Sequence, residues 1–269
     1  MSETARRVRC TSLKDKKKRG DRIVMLTAYD ASIARLLDAS GIDALLVGDS
    51  LGMAVMGCDT TLEVTLDIMV HHCRAVSRAD RRALVVADMP FLTYQTGIDD
   101  AVRNAGRLIQ QGGAAAVKLE GGAPVLDAVS RLTSIGIPVM GHLGLLPQSV
   151  HQLGGYKKQA ANAAGEEQLL HDALALEQAG AFAVVLECVP DAAARKVSSR
   201  LTIPTIGIGA GAGCDGQVLV INDILGLTPT PPSFSKVYFD AGTAIAAAAR
   251  QYASDVRAGV FPPGQDGGQ

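Results

Sequence analysis

What most constrains this chain is a repeated unit: a short apolar run that stops at glycine or at a charged side chain, usually followed by a helical pattern. The unit is plainest at residues 44–53, ALLVGDSLGM, where the run ends in Gly48, Asp49 and Ser50. Comparable runs occur at residues 23–30 (IVMLTAYD), 83–91 (ALVVADMPF), 114–122 (AAAVKLEGG), 137–144 (IPVMGHLG), 181–189 (AFAVVLECV), 203–211 (IPTIGIGAG) and 217–223 (QVLVIND). Near-continuous apolar runs of this length mark parallel strands that are buried on both faces. Eight runs with a mean repeat of roughly 28 residues predict an α/β fold, a (β/α)8 TIM barrel in a single domain. An open, doubly wound sheet is the competing arrangement, but eight units in one undivided chain favour closure. The unit is weakest between residues 211 and 217, where no helical pattern intervenes.

Around the barrel, at residues 21–260, the sequence places an N-terminal arm or helix (1–20) and a flexible tail (261–269). The basic cluster at residues 16–19 has no interleaved aromatics, so it reads as a solvated face rather than a nucleic-acid site. A formal net charge of −1 likewise gives no broad attraction to nucleic acid or to an anionic membrane. No apolar run reaches the roughly 18 residues that a spanning helix needs. The five cysteines are scattered without a CxxC pair, as expected of reduced thiols in a cytoplasmic protein.

If the strands lie parallel, the polar residues that end them converge on one rim. Asp49, Asp88 and Glu120 end the second, third and fourth runs, which are neighbours in a barrel. Carboxylates crowded together away from water repel one another unless a cation lies between them. The donors are all oxygen, so hard, hydrated Mg²⁺ suits them better than zinc. Lys118 stands two residues before Glu120, and strand alternation points both to the same side. A buried lysine must be paired, so it either neutralises the acids or binds a substrate anion. Glu187 ends the sixth run across the barrel and is a candidate general base, with an ion pair to Arg195 or Lys196 as the plainer alternative. His142 ends the fifth run and is placed to orient a substrate, to hold a water or to serve structure alone. The adjacent His71 and His72 point in different directions on a helix and read as structural. The segment GIGAGAG (207–213) lacks dinucleotide-loop spacing and reads as a tight rim loop, with a phosphate cradle as the alternative.

Several strings together resemble one family, ketopantoate hydroxymethyltransferase. They are MLTAYD (25–30), LVGDSLGM (46–53), DMPF (88–91), VKLEGG (117–122), GHLGLLPQSVHQLGGY (141–156), LECVP (186–190), IPTIGIGAG (203–211) and CDGQVLV (214–220). The resemblance runs in order from about residue 11 to about residue 260. It implies a (β/α)8 barrel with bound Mg²⁺, a keto-acid substrate (3-methyl-2-oxobutanoate) and 5,10-methylenetetrahydrofolate as one-carbon donor. It also implies a homo-oligomer, typically a decamer, acting in pantothenate synthesis. Matched by motif, Asp49 and Asp88 correspond to direct metal ligands and Glu120 to an acid of the same site. Ser50 and Lys118 correspond to keto-acid contacts, in a substrate site that Asp49, Asp88 and His142 also line, and Glu187 to the proton acceptor. Two departures stand out. Leu146 replaces a usual threonine, and residues 231–240 (PPSFSKVYFD) are looser than the usual basic segment, which bears on folate or subunit contacts rather than on the chemistry.

Overall fold

The structure, a computed structural model, describes residues 7–79, 82–155 and 157–263. Residues 1–6 of the expected arm, Tyr156 of the longest motif and residues 264–269 of the expected tail lie outside the described residues. The chain gathers into two compact units, Met1–Val220 and Ile221–Gln269.

The first unit is a closed, all-parallel barrel with strand order β1 to β8. Its strands are β1 (Ile23–Thr27), β2 (Ala44–Val47), β3 (Leu84–Asp88), β4 (Ala116–Glu120), β5 (Val139–Gly144), β6 (Ala183–Glu187), β7 (Thr205–Ile208) and β8 (Gly216–Leu219). The eight expected runs are thus the eight strands. Closure is parallel pairing of β1 with β8, with Ile23 opposite Gly216 and Met25 opposite Val218. Helices follow most strands, among them Ala31–Ala39, Leu66–Ser77, Ile98–Gln110, Leu126–Ser134, Ala163–Gln178 and Asp191–Arg200. Between β2 and β3, Thr61–Glu63 is a 3-10 turn, and Thr65 caps the α-helix Leu66–Ser77 through Ile68 N–H. No helix separates β7 from β8. The glycine-rich segment there is a tight rim loop, tied by Gly213 N–H to Asp191 and by Gln217 Nε2 to the Gly211 carbonyl.

The barrel interior follows from strand periodicity of two. Ile23 and Met25, Ala44 and Leu46, Leu84 and Val86, Ala116, Met140, Ala183 and Val185, Ile206 and Val218 form one buried apolar cluster fed by all eight strands. Val8 and Leu13 belong to the same cluster, and Leu13 is completely buried. The leading segment is therefore a helix, Cys10–Arg19, packed on the barrel rather than a wholly solvated arm. Its basic residues are partly consumed in the same docking. Lys16 pairs with Asp43 at 2.7 Å, and Lys17 pairs with Asp215 at 2.9 Å while donating to the Ser198 and Ile203 carbonyls.

The second unit holds a short helix, Ile221–Ile224, a proline-rich loop and the long helix Ala241–Arg257, capped by Asp240 through Thr243 N–H. The expected eighth run was longer than β8; its last residues open this unit instead. No helix among the described residues is long and apolar enough to cross a membrane.

Replacing Leu13 by alanine leaves a void against the floor of the barrel, and such truncations cost about 2–5 kcal/mol. Urea unfolding of Leu13→Ala should show a loss in that range. A loss below about 1 kcal/mol, outside the usual span for a fully buried leucine, would mean that the helix is only loosely attached.

Candidate active site

On β3 to β6 the inward column carries apolar residues low in the barrel and changes character higher up. On β3 the column reads Leu84, Val86, Asp88; on β4, Ala116, Lys118, Glu120; on β5, Met140, His142; on β6, Ala183, Val185, Glu187. Register then sets neighbours side by side: Asp88 opposite Lys118, Glu120 opposite His142, and Gly144 opposite Glu187. Strand order, alternation and register bring one lysine, one histidine and three acids to the upper layer of the core. Asp49 joins them from the turn after β2.

These groups are deeply buried: Asp49 is 4% exposed, Asp88 3%, Lys118 5%, Glu120 6% and His142 2%. Lys118 Nζ meets Asp88 Oδ1 at 2.9 Å and His142 Nδ1 at 3.2 Å. The Asp88 contact is at ion-pair distance but poorly aligned, which leaves Oδ1 without a formal hydrogen-bond donor. Its other oxygen, Oδ2, accepts the Asp49 main-chain N–H at 3.0 Å. Gly48 permits that approach, since a β-carbon there would stand 2.8 Å from Ser50 Oγ and 3.3 Å from Asp88 Oδ2.

His142 is the link between the two sides of the site. Its Nδ1 lies 3.4 Å from Glu120 Oε1 and its Nε2 lies 3.1 Å from Glu187 Oε2, the latter again poorly aligned. Glu187 is held from behind. Its carbonyl accepts Leu145 N–H at 2.8 Å, and Gly144, at φ 92°, leaves room that a β-carbon would fill by colliding with that carbonyl. The next residue, Cys188, adopts φ 48°, a left-handed strain worth about 1–3 kcal/mol that the surrounding backbone pairing must offset. Arg195 does not reach Glu187; it pairs with Asp191 at 2.7 Å. Ser50 Oγ is 2.8 Å from Tyr29 Oη, and His72 Nδ1 contacts the Tyr29 carbonyl at 2.7 Å, so that histidine is structural as expected.

The electrostatics follow from burial and crowding. Burial raises the Asp49 carboxyl well above its ordinary range, and the charges of Asp88 and Glu120 add to the shift. Burial also raises Asp88, against the pull of Lys118. Glu120 goes the other way: burial opposes ionisation, yet His142, Lys118 and the Gln148 N–H together hold it below its usual range. Burial and Lys118 disfavour charge on His142, but Glu120 and Glu187 outweigh them and raise it to about 8. Lys118 stays charged because the acids overcome its desolvation.

Two further side chains that line the site escaped the sequence reading. Gln148 lies in the 3-10 turn Pro147–Ser149 after β5 and donates Nε2 to Asp49 Oδ2 at 2.8 Å. Tyr94, in the loop after β3, accepts the Glu120 N–H at 3.1 Å. Gln148 stood inside the longest quoted motif, whose polar residue after a proline was the available signal; nothing in the sequence marked Tyr94.

The donor set fits a hard divalent cation. Asp49 and Asp88 resist ionising together without added positive charge, the nearby donors are oxygen, and Asp88 Oδ1 lacks an aligned donor. Among the described residues, no three His, Cys, Asp or Glu side chains lie together so as to enclose a metal by themselves. Any cation here would draw part of its shell from water or substrate.

Comparison with known proteins shows what the fold and the sequence resemble. A 2,3-dimethylmalate lyase, a member of the PEP mutase/isocitrate lyase superfamily, superposes with TM-score 0.59 at 21% identity, over 96% of this chain and 91% of that one. A phosphonopyruvate hydrolase solved in complex with oxalate and Mg²⁺ gives TM-score 0.62 at 12% identity, over 97% and 92%. At these identities the likeness concerns the fold alone. Sequence comparison goes further. The 3-methyl-2-oxobutanoate hydroxymethyltransferase of Syntrophus aciditrophicus is 53% identical over 258 residues, 96% of this chain and 95% of the relative. Residues 7–264 match the sequence model that describes ketopantoate hydroxymethyltransferase. With that match across nearly its whole length, the chain belongs to the ketopantoate hydroxymethyltransferase family.

Proposed function

We propose that the protein transfers a hydroxymethyl group from 5,10-methylenetetrahydrofolate to 3-methyl-2-oxobutanoate, giving ketopantoate in the first committed step of pantothenate biosynthesis. The observation that carries this reading is the upper core layer, where Glu187 faces buried acids and a lysine through a shared histidine. Asp49 and Asp88 would hold Mg²⁺ directly, with Glu120 as the third acid of the site. When bound there, the cation supplies Lewis-acid stabilisation of charge on a keto oxygen, worth several kcal/mol. The phosphonopyruvate hydrolase neighbour, whose structure includes Mg²⁺ and oxalate, supports such a use of this fold.

The chain's own groups then divide the work. Lys118 and Ser50 anchor the keto-acid carboxylate, Lys118 as a buried cation and Ser50 as a hydroxyl oriented by Tyr29. Glu187 takes the proton from C3 on the oxygen turned away from His142, a step for which a positioned base contributes about 10²–10⁴ in rate. His142 Nε2, 3.1 Å from Glu187 Oε2, stands beside that carboxylate as its neighbouring imidazole. The C3 electron pair forms a bond to the methylene carbon, the carbon–nitrogen bonds to folate break, and water supplies the hydroxyl oxygen. The reaction belongs in the cytoplasm, where the folate donor is made available. Ile245, Tyr252 and Val256 are exposed along one face of the helix Ala241–Arg257, which supports assembly as a homo-oligomer, and the proposed state is a decamer.

Superfamily chemistry that uses an acidic cysteine is the less favoured reading. Cys188 adjoins Glu187, but burial and the Glu187 charge push its thiol up to about 11, the opposite of an activated thiol.

Ketopantoate formation from the keto acid and methylenetetrahydrofolate should be present with Mg²⁺ and lost with chelator; product made at an undiminished rate without divalent metal would refute the metal-dependent reading. For Glu187→Gln, deuterium exchange at C3 followed by NMR should slow by about 10²–10⁴ while keto-acid binding persists. Exchange at the wild-type rate would remove Glu187 from the role.

A further inference from the structure

We propose that Gln148 is the positioning residue of the metal-facing acids, gripping Asp49 with its side chain and Glu120 with its main chain. This rests on the functional reading above, in which those acids serve a divalent cation. Gln148 is 99 residues from Asp49 and 28 from Glu120 in sequence, so the fold alone brings the three together.

The side-chain amide and the main-chain N–H of Gln148 are spent inside the site. Nε2 donates to Asp49 Oδ2 at 2.8 Å and to the Met89 carbonyl at 2.9 Å. Oε1 accepts from Tyr94 Oη at 2.8 Å and from Gln95 Nε2 at 3.2 Å. The main-chain N–H donates to Glu120 Oε2 at 3.0 Å. The side chain is 6% exposed, so water is a poor substitute for these partners.

The network also fixes which way the amide points. Were it turned over, Oε1 would face the Asp49 carboxylate and the Met89 carbonyl, with no proton between them, and Nε2 would face the Gln95 amide. Tyr94 locks the observed orientation from the far side. Its hydroxyl oxygen accepts the Glu120 N–H at 3.1 Å, and its proton lies between Gln148 Oε1 at 2.8 Å and the Glu120 carbonyl at 3.2 Å, the former being the shorter contact. In this orientation Gln148 donates toward both Asp49 and the Met89 carbonyl.

This matters because the acids have reason to move apart. Asp49, Asp88 and Glu120 repel one another in a buried setting, and without a clamp Asp49 could swing away before a cation arrives. Gln148 and Tyr94 bind the turn after β2, the loop after β3, the end of β4 and the turn after β5 into one frame. One oxygen of Asp49 and one of Glu120 are committed to that frame, so a cation would find the acids already in place. Groups that orient metal ligands in this way are typically worth about 10–100-fold in metal affinity.

The test is calorimetric titration of the full-length protein with MgCl₂ alone, without keto acid or folate. Gln148→Leu keeps the main-chain contact to Glu120, removes the side-chain clamp and should raise the Mg²⁺ Kd by about 10–100-fold. Tyr94→Phe leaves the amide present but unlocked and should shift Kd in the same direction by a smaller factor. It supplies the answer if the leucine variant does not fold. The melting temperature of each metal-free variant is measured alongside. Wild-type Kd in the variants, even with a lowered melting temperature, would make Gln148 a merely structural residue and overturn the proposal. A wild-type protein that binds no Mg²⁺ either alone or with the keto acid added would instead overturn the functional reading on which the proposal rests.

Discussion

The structure depends on placing several like charges where water cannot reach them. Asp49, Asp88 and Glu120 lie within one buried layer with Lys118 as their fixed cation, and Glu187 stands just beyond His142. Left in an apolar core, an uncompensated group of this kind would cost several kcal/mol per charge. The barrel tolerates it because the charges are paired: Lys118 lies at ion-pair distance from Asp88, Gln148 donates to Asp49 and Glu120, and His142 stands between two carboxylates. The raised carboxyls of Asp49 and Asp88 are the residue of that compromise, a shortage of positive charge that a divalent cation would relieve.

Much of this was legible in the sequence, because parallel strands in a barrel translate sequence position directly into place. A run buried on both faces identifies the strand, alternation identifies its inward column, and the first charged residue in that column falls at the rim. Lys118 and Glu120, two residues apart, share a face for that reason alone. The same logic gave Asp88 and Glu187 their positions. It did not assign His142 a role, since whether a rim histidine bridges two acids depends on which strands flank it and in what register.

The parts that were not legible are those governed by loops and by long-range packing. Gln148 sits in a turn, and its partners are set by the path of the chain rather than by any period. Tyr94 contributes through a hydroxyl that meets a main-chain N–H, a contact without a sequence signature. The leading helix looked solvated because lysine and arginine dominate it, yet a single leucine on its inner face joins the barrel floor and two of its lysines pair with acids of the barrel, Asp43 and Asp215. Composition describes a segment's average, whereas docking is decided by one or two residues.

The site is thus a frame of hydrogen bonds built to keep mutually repelling oxygens together. Anomalous diffraction from crystals soaked with Mn²⁺ in place of Mg²⁺ tests that account most directly. The account predicts a peak within coordination distance of carboxylate oxygens from both Asp49 and Asp88. Full-strength scattering elsewhere in the molecule, with none between those two side chains, would contradict it.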